Sequence, residues 1–303
     1  MNFLNLIRWK NLVMIAIVQL LIKYALLEPF SVQTSLSALG ISLLVLATLC
    51  IAAAGYIIND VFDVETDTIN KPEKVIVGKS ISEKTAYNLF IIFNVIGVGI
   101  GYYVSHLVGK EAFFSLFVII SVLLYVYASY LKQTLLVGNL VVSVLVALTL
   151  IFVGIFELLP SITPLNQHTQ LLFFKIIFQY AAFAFFINFL REITKDIEDI
   201  NGDYKAGMHT LPIAIGTKRA SKIVFALTIA LLFGITYYVV NALYKNQIAV
   251  VYFLVFIIGP LLYLAIKMFD ANTKKEFHHI SNVLKLVMLF GMLSLLLYAF
   301  VLL

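Results

Sequence analysis

The sequence predicts an all-α polytopic membrane protein in which nine transmembrane helices surround a central cavity. Hydrophobic residues make up 62% of the 303 positions, charged residues make up 12%, and the mean hydropathy is +1.02. This composition lies outside the range of soluble globular proteins. In addition, apolar stretches of about 20 residues, the length that crosses the hydrocarbon core, recur along the chain. We therefore expect a single transmembrane domain over residues 1–303.

The nine expected spans follow from these apolar stretches. They cover, in order, residues 11–28, 35–58, 85–105, 112–130, 135–158, 170–192, 221–243, 248–269 and 282–303. Arg8 and Lys10 precede the first stretch without a small-residue cleavage site, so we expect that span to be retained. The one cysteine, Cys50, lies in an apolar run, which excludes a disulfide or a thiolate metal site within the chain.

The distribution of Lys and Arg predicts the orientation of the spans. Of the 21 Lys and Arg residues, 17 lie at the N-terminus or after spans 2, 4, 6 and 8, whereas the opposite connections hold Lys110 and Lys245. The side with more positive charge is expected to be cytoplasmic. The two longest connections, 59–84 and 193–220, are separated by an even number of spans, so both loops should lie on the cytoplasmic side. This bias also accounts for the pI near 9.1 without a nucleic-acid partner.

Each long connection carries three aspartates with the same spacing, a gap of three and then four residues. The two sets are Asp60, Asp63 and Asp67, and Asp196, Asp199 and Asp203. Such spacing places the three carboxylates of a set on one face of a helix or helical turn. Like charges held so closely need a cation between them, and Mg²⁺ prefers carboxylate oxygens. We expect the two faces to hold Mg²⁺ and a polyanion such as a diphosphate; two solvated acidic loops are the alternative.

These residues resemble the UbiA superfamily of intramembrane prenyltransferases. The run from Asn59 to Asp67, followed by Asn70, Lys71 and Pro72, is similar to its first aspartate-rich motif, and 196–203 is similar to its second. The Gly138 and Asn139 pair fits the same pattern. The resemblance covers nearly the whole chain. It implies that the six aspartates are catalytic metal ligands and that a prenyl group is transferred from a prenyl diphosphate with Mg²⁺ as cofactor.

The second motif also resembles one branch of that superfamily, geranylgeranylglycerol-phosphate geranylgeranyltransferase. The resemblance rests on Arg191, Glu192, Lys195, Gly202 and the run from Thr210 to Pro212. It implies geranylgeranyl transfer to a glycerophosphate ether-lipid precursor. An aromatic quinone precursor of the 4-hydroxybenzoate or dihydroxynaphthoate type is the alternative acceptor. Family members often have Lys-Pro-x-Arg-Pro after the first motif, whereas this chain has Lys74 in place of the arginine and no second proline, which leaves the acceptor's headgroup open.

Several polar and aromatic residues near these motifs are expected to contact substrate. Asn59 is a neutral oxygen ligand or a phosphate donor, and Asn188 is polar within a span and should face a cavity. Basic groups at the expected cytoplasmic ends would contact phosphate oxygens, or else merely reflect orientation: Lys71, Lys74, Lys132, Arg191 and Lys195. Aromatic faces stabilise a carbocation; the best placed are Tyr56, Tyr125, Tyr127 and Tyr130.

Two further interpretations concern other classes of site. A cation transporter would usually carry its carboxylates near the bilayer midplane, whereas these motifs lie at the ends of spans. His278 and His279 are adjacent and point in different directions on a helix, so we expect a structural or solvated role and no metal site. The expected partners are a prenyl diphosphate donor, a lipid or aromatic acceptor and membrane lipids. The protein should be an integral membrane protein, in the inner membrane if its host is bacterial.

The orientation can be tested with cysteines introduced at Thr68 and Lys205 in a Cys50→Ser background. Both positions are expected to react with an impermeant thiol reagent from the cytoplasmic side only, because an even number of spans separates them. Labelling of the two positions from opposite sides of the membrane would contradict the nine-span topology.

Overall fold

The structure is a computed structural model that describes residues 2–299. These residues are mostly helical and contain no β-strand. The α-helices are α1 (Asn2–Leu6), α2 (Trp9–Leu21), α3 (Ala38–Phe62), α4 (Val64–Asn70), α5 (Glu83–Leu107), α6 (Phe114–Ser129), α7 (Val137–Glu157), α8 (Gln167–Lys205), α9 (Leu211–Ile215), α10 (Thr217–Tyr238), α11 (Gln247–Phe253), α12 (Gly259–Asp270) and α13 (Lys274–Leu293). Wider π-helical turns follow α2, α10 and α11, at Ile22–Leu27, Val239–Leu243 and Leu254–Ile258.

Eight helical segments among the described residues are long and apolar enough to cross a membrane. They are Trp9–Phe30, Ala38–Phe62, Glu83–Leu107, Glu111–Ser129, Val137–Ser161, Gln167–Lys205, Thr217–Leu243 and Gln247–Asp270. Each coincides with one of the first eight predicted spans. The ninth predicted span, 282–303, overlaps the 20-residue helix α13, and its last four residues lie outside the described part of the chain. The chain is therefore an all-α polytopic membrane protein.

The segment 193–220, predicted as a loop, is largely helical. Helix α8 runs without a break for 39 residues and ends only at Lys205, so Asp196, Asp199 and Asp203 all lie on it. Charged residues do not end a helix, whereas glycine in the left-handed conformation does. Gly207, with φ 71°, supplies that ending. In the other long connection, Asp60 belongs to the last turn of α3 and Asp67 to α4.

The described chain forms two compact units. The first contains residues up to Lys132 and Leu148–Gln179; the second contains Gln133–Ala147 and the residues from Tyr180 onward. Helices α7 and α8 contribute residues to both. The single-domain organisation and the central cavity stay predictions.

Two glycines set the spacing of helices in the first unit. A Cβ at Gly97 would lie 2.7 Å from the Ile51 side chain of α3, and a Cβ at Gly101 would lie 2.5 Å from the Phe117 ring of α6. Small residues four positions apart allow membrane helices to approach closely. Phe117 is fully buried and meets Phe152 edge to face, with ring centroids 5.3 Å apart. Helix α5 therefore packs between α3 and α6 through its glycine face.

A buried ion pair fixes the connection after α2 in the first unit. Lys23, which lies inside the first span, is 3.1 Å from Glu157 Oε1, and both side chains are almost completely buried. Lys23 Nζ also donates to the Leu36 carbonyl at 2.8 Å, and the Leu36 amide donates to Glu157 Oε2 at 3.1 Å. A buried pair persists only when further hydrogen bonds satisfy it. These bonds hold the segment before α3 against the end of α7.

The second unit has its own hydrophobic core. Buried side chains of α8, α10, α12 and α13 form one cluster, which includes Ile193, Ile197, Val224, Leu261 and Phe277. Tyrosine hydroxyls are satisfied within it: Tyr180 pairs with Ser294 at 2.8 Å, and Tyr252 donates to the Phe290 carbonyl at 2.8 Å. The C-terminal half of α8 is therefore supported by packing against α10, α12 and α13.

The glycine face of α5 gives a stability prediction. Gly101→Ala should lower the free energy of unfolding by about 1–3 kcal/mol, because the added methyl group clashes with the Phe117 ring. Gly99→Ala is the matched control, since a Cβ at Gly99 meets no atom within 4 Å. Thermal unfolding in detergent measures both. Equal destabilisation by the two variants would contradict the proposed packing.

Candidate active site

The first aspartate-rich motif is positioned by α1, α3 and the connection before α5. Leu6, Ile57, Val77 and Ala86 are buried together in one small hydrophobic cluster. Burial of these side chains brings the N-terminal segment against the end of α3. Arg8 connects α1 to α2 in the left-handed conformation, with φ 50°. The turn therefore directs Arg8 toward the first motif.

Arg8 binds the first aspartate of this motif directly. Its Nη2 donates to Asp60 Oδ1 at 2.8 Å, and its guanidinium lies 5.0 Å from the centre of the Tyr56 ring. Charge-assisted hydrogen bonds of this kind are stronger than neutral ones. The ring face of Tyr56, expected to contact substrate, is engaged by Arg8 in this structure. Arg8, which the sequence indicated only as an orientation signal, is thus part of the candidate site.

Asp63 lies at the break between α3 and α4 and is the most buried aspartate of the motif, with 5% of its surface exposed. Asn59 Nδ2 donates to its Oδ2 at 2.6 Å, and Lys132 forms an ion pair with the same oxygen. Asp63 raises the pKa of Lys132, through its charge and this hydrogen bond, against the lowering effect of burial. Lys132 therefore remains protonated and holds the Asp63 carboxylate in place.

Asp67 completes the first motif on α4. Burial, and then the negative charge of Asp63, raise the pKa of the Asp67 carboxyl above its usual range, while Lys132 and Lys71 act in the opposite direction. The three carboxylates are thus within electrostatic reach of one another. Burial is the larger cause of the pKa shift of Asp67, and the neighbouring carboxylates add to it.

The remaining predicted residues near this motif differ in exposure. Lys71 ends α4 and acts on Asp67 through its charge. Lys74 is exposed in the following 3₁₀ turn. Tyr130, at the end of α6, is 65% exposed, whereas Tyr127 is half-buried. Tyr125 packs on Phe62 and Phe90.

The second motif is positioned by the start of α7. Asn139 Nδ2 donates to Asp196 Oδ2 at 2.8 Å. Ser143 Oγ in turn donates to the Asn139 carbonyl at 2.6 Å, and Asn188 Nδ2 donates to Ser143 Oγ at 3.2 Å. Asn188, expected to face a cavity, is therefore buried in a hydrogen-bonded chain that ends on Asp196. Asn139, part of the pair with Gly138 that resembles the family pattern, contacts α8 through this bond.

Arg191 and Lys195 of α8 share a carboxylate partner, Glu192. Glu192 accepts from Arg191 Nη1 at 3.2 Å and from Lys195 Nζ at 3.0 Å. Only 13% of the Glu192 side chain is exposed. Arg191 and Lys195, predicted to contact phosphate, are thus held five residues and one residue before Asp196. Glu192 was not among the predicted site residues.

Asp199 of the second motif lies close to α13, and Asp203 is buried. Asp203 is buried, with 8% exposure, and Asp199 Oδ1 lies 4.0 Å from Lys274 Nζ. The adjacent Glu198 is 3.0 Å from His278 Nδ1. His279 instead pairs with the Tyr263 hydroxyl at 2.9 Å. The two adjacent histidines therefore point to different partners.

The donor chemistry of both motifs fits Mg²⁺. Among residues 2–299, no three His, Cys, Asp or Glu side chains are placed so that they could close on one ion. Mg²⁺ does not require such a set, because it keeps several waters and takes one or two carboxylates together with substrate phosphates. Asp67, whose pKa is raised by burial and then by the negative charge of Asp63, is a carboxylate of the kind that such an ion would neutralise.

The site residues that sequence reasoning missed are Arg8, Asn139 and Glu192. Arg8 and Asp60 are 52 positions apart, and Asn139 and Asp196 are 57 apart. Local spacing does not reveal such pairs. Glu192 gave a weak signal, because a glutamate three residues before a lysine on one helix is spaced to pair with it.

Comparisons with known proteins agree with this architecture. Residues 29–289 match the UbiA prenyltransferase family. The chain is 32% identical over 258 residues to digeranylgeranylglyceryl phosphate synthase of Methanosphaera stadtmanae, which covers 83% of this chain and 86% of the relative. It is also 32% identical over 298 residues to the protein of that name in Methanococcoides burtonii, which covers 97% and 98% of the two chains.

Solved structures share the fold. A structure reported under "Structural and mechanistic insights into the biosynthesis of Digeranylgeranylglyceryl phosphate synthase in membranes" has a TM-score of 0.63 and 23% identity, over 98% of this chain and 97% of that one. A UbiA homologue from Archaeoglobus fulgidus, bound to DMAPP and Mg²⁺, has a TM-score of 0.59 and 18% identity, over 97% and 99%. The family match over most of the chain, together with these relatives, shows that the protein belongs to the UbiA prenyltransferase family and is a membrane-embedded prenyltransferase.

Proposed function

We propose that this enzyme transfers a geranylgeranyl group from its diphosphate to a glycerophosphate ether-lipid precursor, geranylgeranylglyceryl phosphate, in a Mg²⁺-dependent reaction. The observation that carries the proposal is the set of buried carboxylates at the end of α3, held by Arg8, Lys132 and Asn59. The name shared by relatives that are 32% identical over most of this chain supports the acceptor. We place both motifs on the cytoplasmic side.

The reaction breaks one bond and forms one. The allylic carbon–oxygen bond to the diphosphate breaks, and the diphosphate leaves with the electron pair. The acceptor hydroxyl oxygen forms an ether bond to that carbon, and its proton passes to a base or to water. When bound, Mg²⁺ supplies the positive charge that makes diphosphate a better leaving group. The protein supplies position and charge.

We assign metal binding to both aspartate-rich motifs. In the first motif the candidates are Asp60, Asp63 and Asp67, and in the second they are Asp196, Asp199 and Asp203. The hydrogen bonds of Asn59 to Asp63 and of Asn139 to Asp196 orient the carboxylates before a ligand arrives. Such preorganisation avoids the cost of reordering side chains during the reaction.

Basic groups beside the motifs are assigned to phosphate binding. Arg8 and Lys132 already contact motif carboxylates, so their charges lie where a diphosphate would meet the metal. Lys71, Arg191 and Lys195 lie within a few residues of an aspartate, and we assign them the same role. Asn188 supports the second motif through Ser143. Tyr127 and Tyr130 are assigned to shielding the allylic cation with their ring faces.

Metal dependence is the first test of this assignment. Activity should be lost with EDTA and restored by Mg²⁺ or Mn²⁺. Asp63→Asn and Asp199→Asn should each lower kcat/KM roughly 100-fold or more, the effect of losing one preorganised contact to developing charge. Purified protein in detergent, assayed with labelled geranylgeranyl diphosphate, gives these values.

Glu65→Gln is the matched control for the first motif, because Glu65 is an exposed carboxylate in the same segment. It should retain full activity. Activity of a folded Asp63→Asn protein equal to the wild type would exclude the proposed role of the first motif.

The acceptor is tested by an assay of three candidate acceptors and by one lysine substitution. The enzyme should use geranylgeranylglyceryl phosphate and should not use 4-hydroxybenzoate or dihydroxynaphthoate. Lys74→Gln should raise the KM for this acceptor about 10-fold, the effect of losing one charge-assisted bond to phosphate, and leave the KM for the donor nearly unchanged. Steady-state kinetics measures both constants.

Lys84→Gln, an exposed lysine at the start of α5, is the control for Lys74→Gln and should change neither KM. Turnover of an aromatic acid without turnover of the glycerophosphate would overturn the proposed acceptor and leave the prenyl-transfer class in place.

A further inference from the structure

The last turns of α8 carry negative charge where a helix tolerates it least. Glu192, Asp196, Asp199 and Asp203 follow one another at spacings of three or four residues, with Glu198 beside them. Like charges at these spacings destabilise a helix. Negative charge near a helix C-terminus is also unfavourable, because the helix dipole is negative there. The acidic end of α8 therefore needs support from another part of the protein.

Helix α13 provides this support through apolar and polar contacts. Ile193 and Ile197 of α8 belong to the same buried cluster as Phe277 and Ile280 of α13. Beside this cluster, His278 Nδ1 lies 3.0 Å from Glu198 Oε1. An ionised carboxylate only accepts hydrogen bonds, so the histidine nitrogen is the donor. The Glu198 side chain is 5% exposed and the His278 side chain is 49% exposed, so the bond joins a buried carboxylate to a half-exposed imidazole.

The beginning of α13 is itself rigidly built. Thr273 and Glu276 form a capping box: the Thr273 hydroxyl accepts from the Glu276 amide, and the Glu276 carboxylate accepts from the Thr273 amide at 2.8 Å. A capping box satisfies the free amides of the first turn. Lys274 and His278 are one turn apart on the same face, which presents them to Asp199 and Glu198. The first turn of α13 therefore holds Lys274 and His278 in place next to α8.

We propose that His278 is a positioning residue for the second aspartate-rich motif. By holding Glu198 it fixes the helical turn that carries Asp199, so that this carboxylate is already oriented when Mg²⁺ binds. The proposal rests on the metal-binding role proposed above for Asp199. Hydrogen-bond partners behind metal-binding residues typically change metal affinity by about 10–100-fold when they are removed.

The test uses Mn²⁺ as the probe, with inorganic pyrophosphate present, and follows binding by electron paramagnetic resonance on the full-length protein in detergent. His278→Ala should raise the Kd for Mn²⁺ about 10-fold. His278→Asn, which keeps a donor near the position of Nδ1, should bind Mn²⁺ within about 3-fold of the wild type. His279→Ala is the matched control and should bind as the wild type does, because His279 contacts Tyr263 instead.

A kinetic readout separates positioning from a general structural role. The activity lost in His278→Ala should return when Mg²⁺ is raised to saturation, which a globally damaged protein would not show. If His278→Ala does not fold, His278→Phe fills the same half-exposed position without a donor and takes its place.

Three results would overturn the proposal: Mn²⁺ affinity unchanged in His278→Ala, equal losses in His278→Ala and His278→Asn, or a loss of activity that saturating Mg²⁺ does not reverse. Asp199→Asn, measured alongside, separates the two proposals. Loss of Mn²⁺ affinity in Asp199→Asn with none in His278→Ala removes only the role of His278. Unchanged affinity in Asp199→Asn removes the metal-binding role on which it rests.

Discussion

Burial of a carboxylate is costly unless a cation, a metal ion or hydrogen-bond donors accompany it, and this constraint shapes both aspartate-rich motifs. In the first motif, full positive charges offset the cost of burial, since Arg8 binds Asp60 and Lys132 binds Asp63. In the second motif, Asn139 donates a neutral amide hydrogen bond to Asp196, and Lys274 lies 4.0 Å from Asp199. Arg191 and Lys195 pair with Glu192 on the same helix. The two motifs thus share a spacing but differ in how their negative charge is offset.

This difference has a consequence for ligand binding. In the first motif, the cations already in contact with the carboxylates would also face an incoming diphosphate. They would therefore stabilise the carboxylates and the diphosphate alike. In the second, Arg191 and Lys195 are held by Glu192 close to Asp196, which keeps positive charge near the motif. Electrostatic preorganisation of this kind requires a rigid scaffold. The glycine face of α5 in one unit and the core around α8 in the other provide it.

Much of the fold could be predicted from the sequence because membrane spans are set by local composition. The first eight spans followed from apolar length, and the helical placement of the second aspartate triplet followed from its spacing, whereas the first triplet spans the break between α3 and α4 at Asp63. The family resemblance, drawn from the motif residues, was confirmed. The predicted end of α8 was wrong, because the acidic residues were read as the start of a loop, whereas the helix continues to Lys205, just before Gly207. The partners of Asp60, Asp63 and Glu198 were missed, since they come from residues 52, 69 and 80 positions away and depend on tertiary packing.

The central claim is that these carboxylates are arranged to bind divalent metal in the folded protein. A ligand that binds only the folded state stabilises it in proportion to the logarithm of its concentration above Kd. The most direct measurement is therefore thermal unfolding of the full-length protein in detergent across a Mg²⁺ titration, with pyrophosphate present and NaCl at matched ionic strength as the control. The account predicts a Tm that rises steadily with Mg²⁺ and not with NaCl. A Tm that does not respond to Mg²⁺, or that responds equally to NaCl, would contradict it.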